Sequence, residues 1–354
     1  MTEAASPPGP STGGPGCDRP VRFGILSFEH QHGWSYAATL SGGALPGVEL
    51  TAVFDADRER LERAARDYPA VPGFHRTAAE LLRRGDIDAV VICSANSDHE
   101  ALALAAIAAG KHVLCEKPLA LTVEGCDRMI DAARAAGVRM MTAFPVRFSP
   151  AIREAKRLIA SGALGRVLAA DTTNHGTMPG RWFVDAALSG GGAVIDHTVH
   201  VVDLLRWLLD DEIADIRCEH ATRLHPELEV EDVGLLLMRW RKGTVATLDT
   251  SWSRPKSFPI WGNVHLRLKG ESANLDVDCF PRQTEHSDIA TMRNTGGSPG
   301  ENLDEAMLAE FVASIREGRD PLVTGEDGKH AVEAAVAAYR SAAASSASQP
   351  MLAV

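Results

Sequence analysis

From Val21 onward, short apolar runs alternate with longer stretches whose apolar residues recur every three or four positions. The runs predict strands at residues 21–26, 48–54, 89–93, 112–114 and 138–142. The stretches between them predict helices near 35–40, 57–67, 78–84, 99–109 and 123–136, with Gly110 and Gly137 closing two of them. Such alternation requires right-handed crossovers, and so a doubly wound parallel sheet that binds ligands at the carboxyl ends of its strands. The segment Phe144-Pro145-Val146-Arg147-Phe148-Ser149-Pro150 breaks the alternation and marks a boundary.

Beyond the boundary the pattern changes. A helix near 151–161 and a strand at 167–173 lead to Ser189-Gly190-Gly191-Gly192, which opens an amphipathic helix over 193–207. Strands then follow near 215–223, 233–240, 245–253, 265–269 and 273–277 with no helices between them, which predicts an antiparallel sheet. One face of it packs its own helices. The other is expected to carry Trp240, Trp252 and Trp261 for burial against a second subunit. Residues 281–300 are polar and read as loop. Helices near 301–316 and 326–339 close the chain, covering the sheet or packing back on the first half.

The 354 residues suit two domains rather than one. Residues 1–20 are rich in Pro, Gly and Ser and read as a disordered tail, with a second tail at 345–354. The net charge of -11, from 36 basic and 47 acidic side chains, argues against nucleic acid or an anionic membrane as partner. A small molecule is the expected ligand. No apolar run is long enough to span a bilayer and the amino terminus lacks a signal pattern, so a cytoplasmic location is expected. Six scattered cysteines fit reduced thiols there.

Candidate chemistry gathers at the predicted strand ends. The strand at 112–114 stops in Glu116-Lys117-Pro118, and two charges at a buried strand end are costly unless paired or put to use. Pro118 fixes the backbone after Lys117, and an X-Pro bond is the one peptide link that readily turns cis. A surface Lys-Pro turn is the bland alternative. The turn after the first strand reads Ser27-Phe28-Glu29-His30-Gln31-His32, with no glycine where a Gly-x-Gly-x-x-Gly phosphate loop has three. Glu29 would repel a pyrophosphate there, unless it points away or is paired by His30 or His32. The helix amino terminus behind it still suits a phosphate, so Ser27, Phe28 and His30 are kept as cofactor contacts. His30 and His32 have the spacing of a metal pair, but two imidazoles alone are insufficient, and no metal is expected.

Asp55 ends the second strand where a ribose 2′-hydroxyl seeks an acceptor, favouring NAD over NADP; helix capping is its other reading, a task Asp57 serves equally well. Arg58 keeps a phosphate contact, and with it NADP, open. Ser94, Asn96 and His99 sit at the next strand edge, as cofactor contacts or as an ordinary polar turn. On the helix over 193–207, Asp196 and His200 are four apart and share a face, with Asp203 three further on as a second partner for the imidazole. A carboxylate beside an imidazole suits proton transfer near neutral pH, although the same spacing also describes a plain surface pair. His197 and His200 lack an evident third ligand for zinc.

Together these segments resemble the Gfo/Idh/MocA family, the glucose-fructose oxidoreductase and inositol dehydrogenase-like enzymes. The resemblance spans roughly residues 21–344. Its marks are Gly110-Lys111-His112-Val113-Leu114-Cys115-Glu116-Lys117-Pro118, then Ser189-Gly190-Gly191-Gly192 with Asp196-x-x-x-His200, then Pro321 with Thr324-Gly325-Glu326-Asp327-Gly328. It implies an α/β fold, with a Rossmann-type dinucleotide-binding domain at 21–145 and an α+β substrate and oligomerisation domain at 146–344 built on a large open antiparallel sheet. It also implies hydride transfer between nicotinamide and a sugar, cyclitol or related polyol. By position, Lys117 is implied as catalytic lysine, Asp196 and His200 as an acid/base pair, and Asp55, Ser94, Asn96, His99, Glu116 and Lys117 as cofactor contacts. Asn174, His175, Arg181, Trp182 and His197 are expected substrate contacts. A homodimer or homotetramer through the sheet is expected. Two alternatives stay open: a redox-type glycoside hydrolase that recycles bound NAD, and a non-catalytic NAD- or sugar-binding regulator.

Overall fold

Aliphatic runs with no polar alternation can only be buried on both faces, and the first half of the chain uses them so. In the computed structural model, which describes residues 19–258, 262–280, 284–288, 293–297 and 302–346, six strands form one parallel sheet. They are β1 (Val21–Leu26), β2 (Val48–Phe54), β3 (Gly73–His75), β4 (Ala89–Ile92), β5 (His112–Cys115) and β6 (Met140–Thr142), in the order β3-β2-β1-β4-β5-β6. The strand order reverses between β1 and β4, which opens a crevice above their carboxyl ends. Helices α1 (His32–Ser41), α2 (Arg58–Asp67), α3 (Ala78–Leu82), α4 (His99–Ala108) and α5 (Val123–Ala136) supply the crossovers. Strand β3 was not expected; its Gly-Phe-His sequence carries too little apolar signal for a strand, and parallel pairing with β2 secures it.

Helix α6 (Pro150–Ala160), strand β7 (Val167–Thr173), the short α7 (Ala186–Ser189) and the long α8 (Ala193–Leu209) lead into β8 (Ile213–Ala221), β9 (Val233–Trp240), β10 (Val245–Asp249), β11 (His265–Gly270) and β12 (Asn274–Asp278). These strands form a second six-stranded sheet in the order β12-β11-β7-β10-β9-β8. It is mixed rather than antiparallel throughout: β7 enters the middle and pairs parallel with β10, since the chain returns to β10 from the same end of the sheet. Alternate residues of β9 and β10 face opposite ways, with Leu236, Met238, Trp240, Ala246 and Leu248 packed toward α6 and α8.

The tryptophans correct an expectation. Trp240 and Trp252 are each 1% exposed, inside their own chain, and Trp261 lies outside the described residues. The open face carries Leu168, Leu235, Leu237 and Val245 instead, of which Leu235 is 56% exposed. The stretch 281–300, expected as loop, holds an antiparallel pair, β13 (Thr284–Asp288) with β14 (Arg293–Gly297), because backbone pairing does not require apolar side chains. The expected tail at 1–20 falls almost wholly outside the described residues. Helix α9 (Leu303–Glu317) sends Met307, Leu308 and Phe311 into the core of the first sheet. Helix α10 (Gly325–Ser346) runs past the expected frayed end, through an Ala-rich stretch of high helix propensity, and contributes to three buried clusters. Among the described residues no helix is long and apolar enough to cross a membrane.

Candidate active site

Glu116 and Lys117 follow β5 directly, at the bottom of the crevice, with Glu116 fully buried and Lys117 6% exposed. The Lys117–Pro118 peptide is cis. A buried ammonium needs a counter-charge, and Lys117 Nζ donates to Asp196 Oδ1 at 2.7 Å, tying the end of β5 to the first turn of α8. The other oxygen, Oδ2, accepts from Trp252 Nε1 at 3.1 Å and lies 3.3 Å from His197 Nε2. Burial works to raise the Asp196 carboxyl, but the Lys117 and His197 charges and the Lys117 bond outweigh it and hold it well below the usual carboxylate range. Gly192 lets α8 begin this close to the β8–β9 connection: a Cβ there would stand 1.9 Å from the Glu231 carbonyl oxygen.

His200 lies one turn beyond Asp196. Burial first, and then the Lys117 charge, keep its pKa well below the ordinary imidazole value, and its buried Nδ1 has no hydrogen-bond partner among the described residues. The expected orienting bond from Asp196 is therefore replaced. Side chains on a helix lean toward its amino terminus, and the Asp196 carboxylate accordingly meets Lys117 rather than reaching one turn on. Asp203 is likewise not the partner of His200. It receives Arg147 through Nε at 2.9 Å and Nη2 at 2.5 Å, because a buried guanidinium claims a carboxylate more strongly than a neutral ring does.

The glycine-free turn after β1 keeps a glycine backbone with other side chains. Ser27 adopts φ 77°, the left-handed conformation of the first glycine. The close packing of helix on strand falls to Gly33, one position later, where a Cβ would stand 3.2 Å from Cys93 Cβ and 3.2 Å from the Ser27 carbonyl oxygen. Asp55 stabilises the turn by accepting from Phe28 N at 2.7 Å and Ser27 Oγ at 3.3 Å. It also receives Asp57 N at 2.8 Å and Arg60 through Nε and Nη2, both at 2.9 Å. Asp55 thus makes all these contacts within its own chain and has no exposed surface, so a ribose hydroxyl there would share or displace one of them. Asp57 caps α2, and Arg58 pairs with Glu62 on the surface, away from the crevice. Phe28 offers its amide to Asp55 and buries its ring against Trp34.

Glu29 turns its carboxylate to the Ala95 amide at 3.2 Å, and its carbonyl accepts Trp182 Nε1 at 3.3 Å. Trp182, stacked on Phe183 at 3.8 Å, thereby covers the turn rather than standing free for substrate. His30 is buried beneath this pair, and burial lowers its pKa to about 3. His32 Nδ1 lies 2.9 Å from Glu116 Oε1, which also accepts the Tyr36 hydroxyl at 2.6 Å. Burial acts to lower the His32 pKa, but the Glu116 charge and bond leave it raised. One nitrogen of each imidazole and an oxygen of Glu116 all lie within 4.8 Å of one another.

Ser94 Oγ donates to the Ala95 carbonyl, and Asn96 Nδ2 donates to Ser189 O at 2.8 Å while its buried Oδ1 has no partner among the described residues. His99 Nδ1 bonds the Pro118 carbonyl at 2.8 Å and fixes the loop behind Lys117. Of the expected substrate contacts, Asn174 donates to the His197 carbonyl at 3.2 Å, and His175 Nε2 lies 2.9 Å from Asp249 Oδ2. His197 reaches Thr250 O through Nδ1 at 3.1 Å, and Arg181 is exposed at the rim. The sequence reading missed Trp252, Tyr36 and Gly33. Trp252 follows the end of β10, and no local signal marks its place.

Residues 25–144 match the family described as an oxidoreductase family with an NAD-binding Rossmann fold, and residues 152–275 match the GFO/IDH/MocA C-terminal domain. The chain is 33% identical over 279 residues to the 1,5-anhydro-D-fructose reductase of Ensifer adhaerens, covering 76% of this chain and 82% of the relative. It is 32% identical to the inositol 2-dehydrogenase of Acidothermus cellulolyticus over 92% of this chain and 93% of the relative. The solved structure of GenD2 from gentamicin A biosynthesis, in complex with NAD, superposes with a TM-score of 0.82 at 26% identity, covering 96% of this chain and 97% of that one. The chain belongs to the Gfo/Idh/MocA family of NAD-binding oxidoreductases.

Proposed function

We propose that the protein is an NAD-dependent dehydrogenase or reductase acting on a secondary alcohol of a sugar, cyclitol or related polyol. The observation that carries this reading is the buried Lys117–Asp196 pair at 2.7 Å, with an unpartnered His200 nitrogen one helical turn away. Relatives named as inositol dehydrogenase and anhydrofructose reductase support the substrate class. The residues fit the pyridine end of the cofactor: the unpartnered Oδ1 of Asn96 and the buried Ser94, Glu116 and Lys117 surround the place where it would be held. The adenosine end differs, since Asp55 and Glu29 are engaged by their own chain, so recognition there falls to the α1 amino terminus and its imidazoles. NAD, when bound, supplies the hydride acceptor.

The chain's own groups handle the proton. His200, neutral because its pKa is depressed, accepts the hydroxyl proton of the alcohol. Lys117 donates a charge-assisted hydrogen bond to the oxygen as negative charge develops. Asp196, itself held by Trp252, keeps the ammonium in place, and Asn174 and His175, just beyond β7, are assigned to the substrate. The free leucines on the open face of the second sheet support assembly with a second copy. The buried, free cysteines of the described residues suit a reducing cytoplasm.

The test is the absorbance of reduced nicotinamide when the purified protein and NAD meet a panel of polyols. Lys117→Met and His200→Gln should each lower turnover by about a hundredfold or more and leave NAD binding within a few-fold. Equal loss of both would reject the assignment. The closed turn around Glu29 favours one other reading, a non-catalytic NAD or sugar sensor; cofactor uptake without turnover on any polyol would select it.

A further inference from the structure

His30 and His32 come from the turn after β1, and Glu116 from the end of β5, 84 positions beyond His32. The parallel sheet delivers the third donor that the sequence spacing alone lacks. One nitrogen from each ring and one carboxylate oxygen stand within 4.8 Å of one another, with His32 Nδ1 2.9 Å from Glu116 Oε1. Around a single zinc ion, with bonds of about 2.0–2.2 Å, such donors are separated by roughly 3.3 Å. Side-chain shifts of about an ångström convert one arrangement into the other.

We propose that His30, His32 and Glu116 form a binding site for a divalent transition-metal ion of the zinc class. Two imidazoles and one carboxylate suit zinc, iron or cobalt, whereas calcium and magnesium take oxygen donors almost alone. The surroundings already have the form of a ligand-orienting shell. The Tyr36 hydroxyl donates to Glu116 Oε1 at 2.6 Å, and the Phe183 ring stands 5.3 Å from the His30 ring. His30 Nδ1 accepts the His32 amide at 3.2 Å, so ligation through the other nitrogen moves the ring proton and gives up that bond. That one neutral hydrogen bond is given up in exchange for a metal–nitrogen bond. Three protein donors leave a coordination position for water or for an oxygen of a small molecule, next to Lys117.

The site shares its imidazoles and Glu116 with the place proposed above for NAD, so ion and cofactor exclude one another there, and the test is run with neither NAD nor a polyol. The full-length protein, stripped with a chelator, is titrated with Zn²⁺ by calorimetry and with Co²⁺ by visible absorption. One equivalent of each should bind, Co²⁺ with the bands of a four- or five-coordinate nitrogen and oxygen site. His30→Ala and His32→Gln should each weaken binding by roughly a hundredfold, and Tyr36→Phe by about tenfold. His225→Ala, far from the cluster in sequence and in the connection between β8 and β9, should leave binding unchanged. Circular dichroism checks that each variant is folded, and the wild-type Co²⁺ spectrum decides the matter even where a variant does not fold. Absence of stoichiometric Zn²⁺ and Co²⁺ binding, or uptake that His30 and His32 substitutions do not change, would overturn the proposal.

Discussion

Trp252 donates its indole N–H to Oδ2 of Asp196 at 3.1 Å while Oδ1 of the same carboxylate holds the Lys117 ammonium at 2.7 Å. The indole thus decides which way the carboxylate faces. Trp252→Phe keeps most of the ring's volume and removes one hydrogen bond to a charged group, about 1.5–3 kcal/mol. The expected result is a fall in kcat of about tenfold or more with a small change in KM, read by steady-state kinetics on whichever polyol is turned over. A change in KM alone would show that Trp252 contacts substrate and does not position Lys117.

Asp55 is a clamp for the turn after β1 and for Arg60, so its replacement should act first on stability. Asp55→Ala leaves Arg60 and the Phe28 amide without their acceptor and should cost about 3 kcal/mol. Urea unfolding measures this. An unchanged midpoint, with NAD affinity lost, would return Asp55 to the role of ribose acceptor.

Ser27 occupies a left-handed conformation that glycine tolerates freely. Ser27→Gly relieves that conformation while losing the hydroxyl contacts; Ser27→Ala loses the contacts and keeps the strain. The glycine variant should therefore be the more stable of the two by about 1 kcal/mol, as compared by thermal melts. Equal stability would mean that the turn relaxes around either residue.

His112 accepts the Arg139 amide at Nδ1 and, chiefly through burial, has its pKa lowered to about 4. Its unfolded value is higher, so the unfolded chain takes up the proton first as pH falls. This stabilising contribution is complete above pH about 6.5 and declines as the pH drops toward 4. Between pH 7.5 and 5 it should fall by about 2 kcal/mol. Replacement by Asn should remove that share of the pH dependence of urea unfolding; identical slopes for both proteins would contradict it.

Leu235 and Leu237 project from β9 on the face that carries no helix and are 56% and 47% exposed. If this face joins two copies, Leu235→Asp with Leu237→Asp should shift the protein to the monomer in sedimentation experiments, without loss of folded structure. An unshifted sedimentation coefficient would place the interface elsewhere.

The wound sheet, the helix bearing Asp196 and the stranded charge of Lys117 were legible because each rests on a strong local signal: an apolar run, a three-to-four spacing, or a charge at a strand end; that Lys117 and this helix share one site came only from the family resemblance. Side-chain direction was less so. Asp196 and His200 share a face, yet the tilt of side chains toward the helix amino terminus sends the carboxylate to Lys117. Parity along β9 held the answer for Trp240, which keeps step with Leu236 and Met238 rather than with the exposed Leu235 and Leu237. The intrachain contacts of Asp55 were hidden for a different reason. Its engagement depends on Phe28 N and Arg60 arriving together, and that follows from the path of a turn whose glycines are replaced. The insertion of β7 between β10 and β11 was not legible at all, since register between distant strands leaves no local trace.

Helix α10 places Ala331 and Ala335 in one buried cluster, Val332 in a second and Ala338 in a third. A strut keyed into every layer makes the two sheets lose order together, so heating or denaturant should melt them in one transition and neither half should outlast the other. It also braces the crevice walls against large swings. Admission of a small molecule is thereby left to local rearrangement, for which the single 3.3 Å bond from the Trp182 indole to the Glu29 carbonyl is a candidate latch.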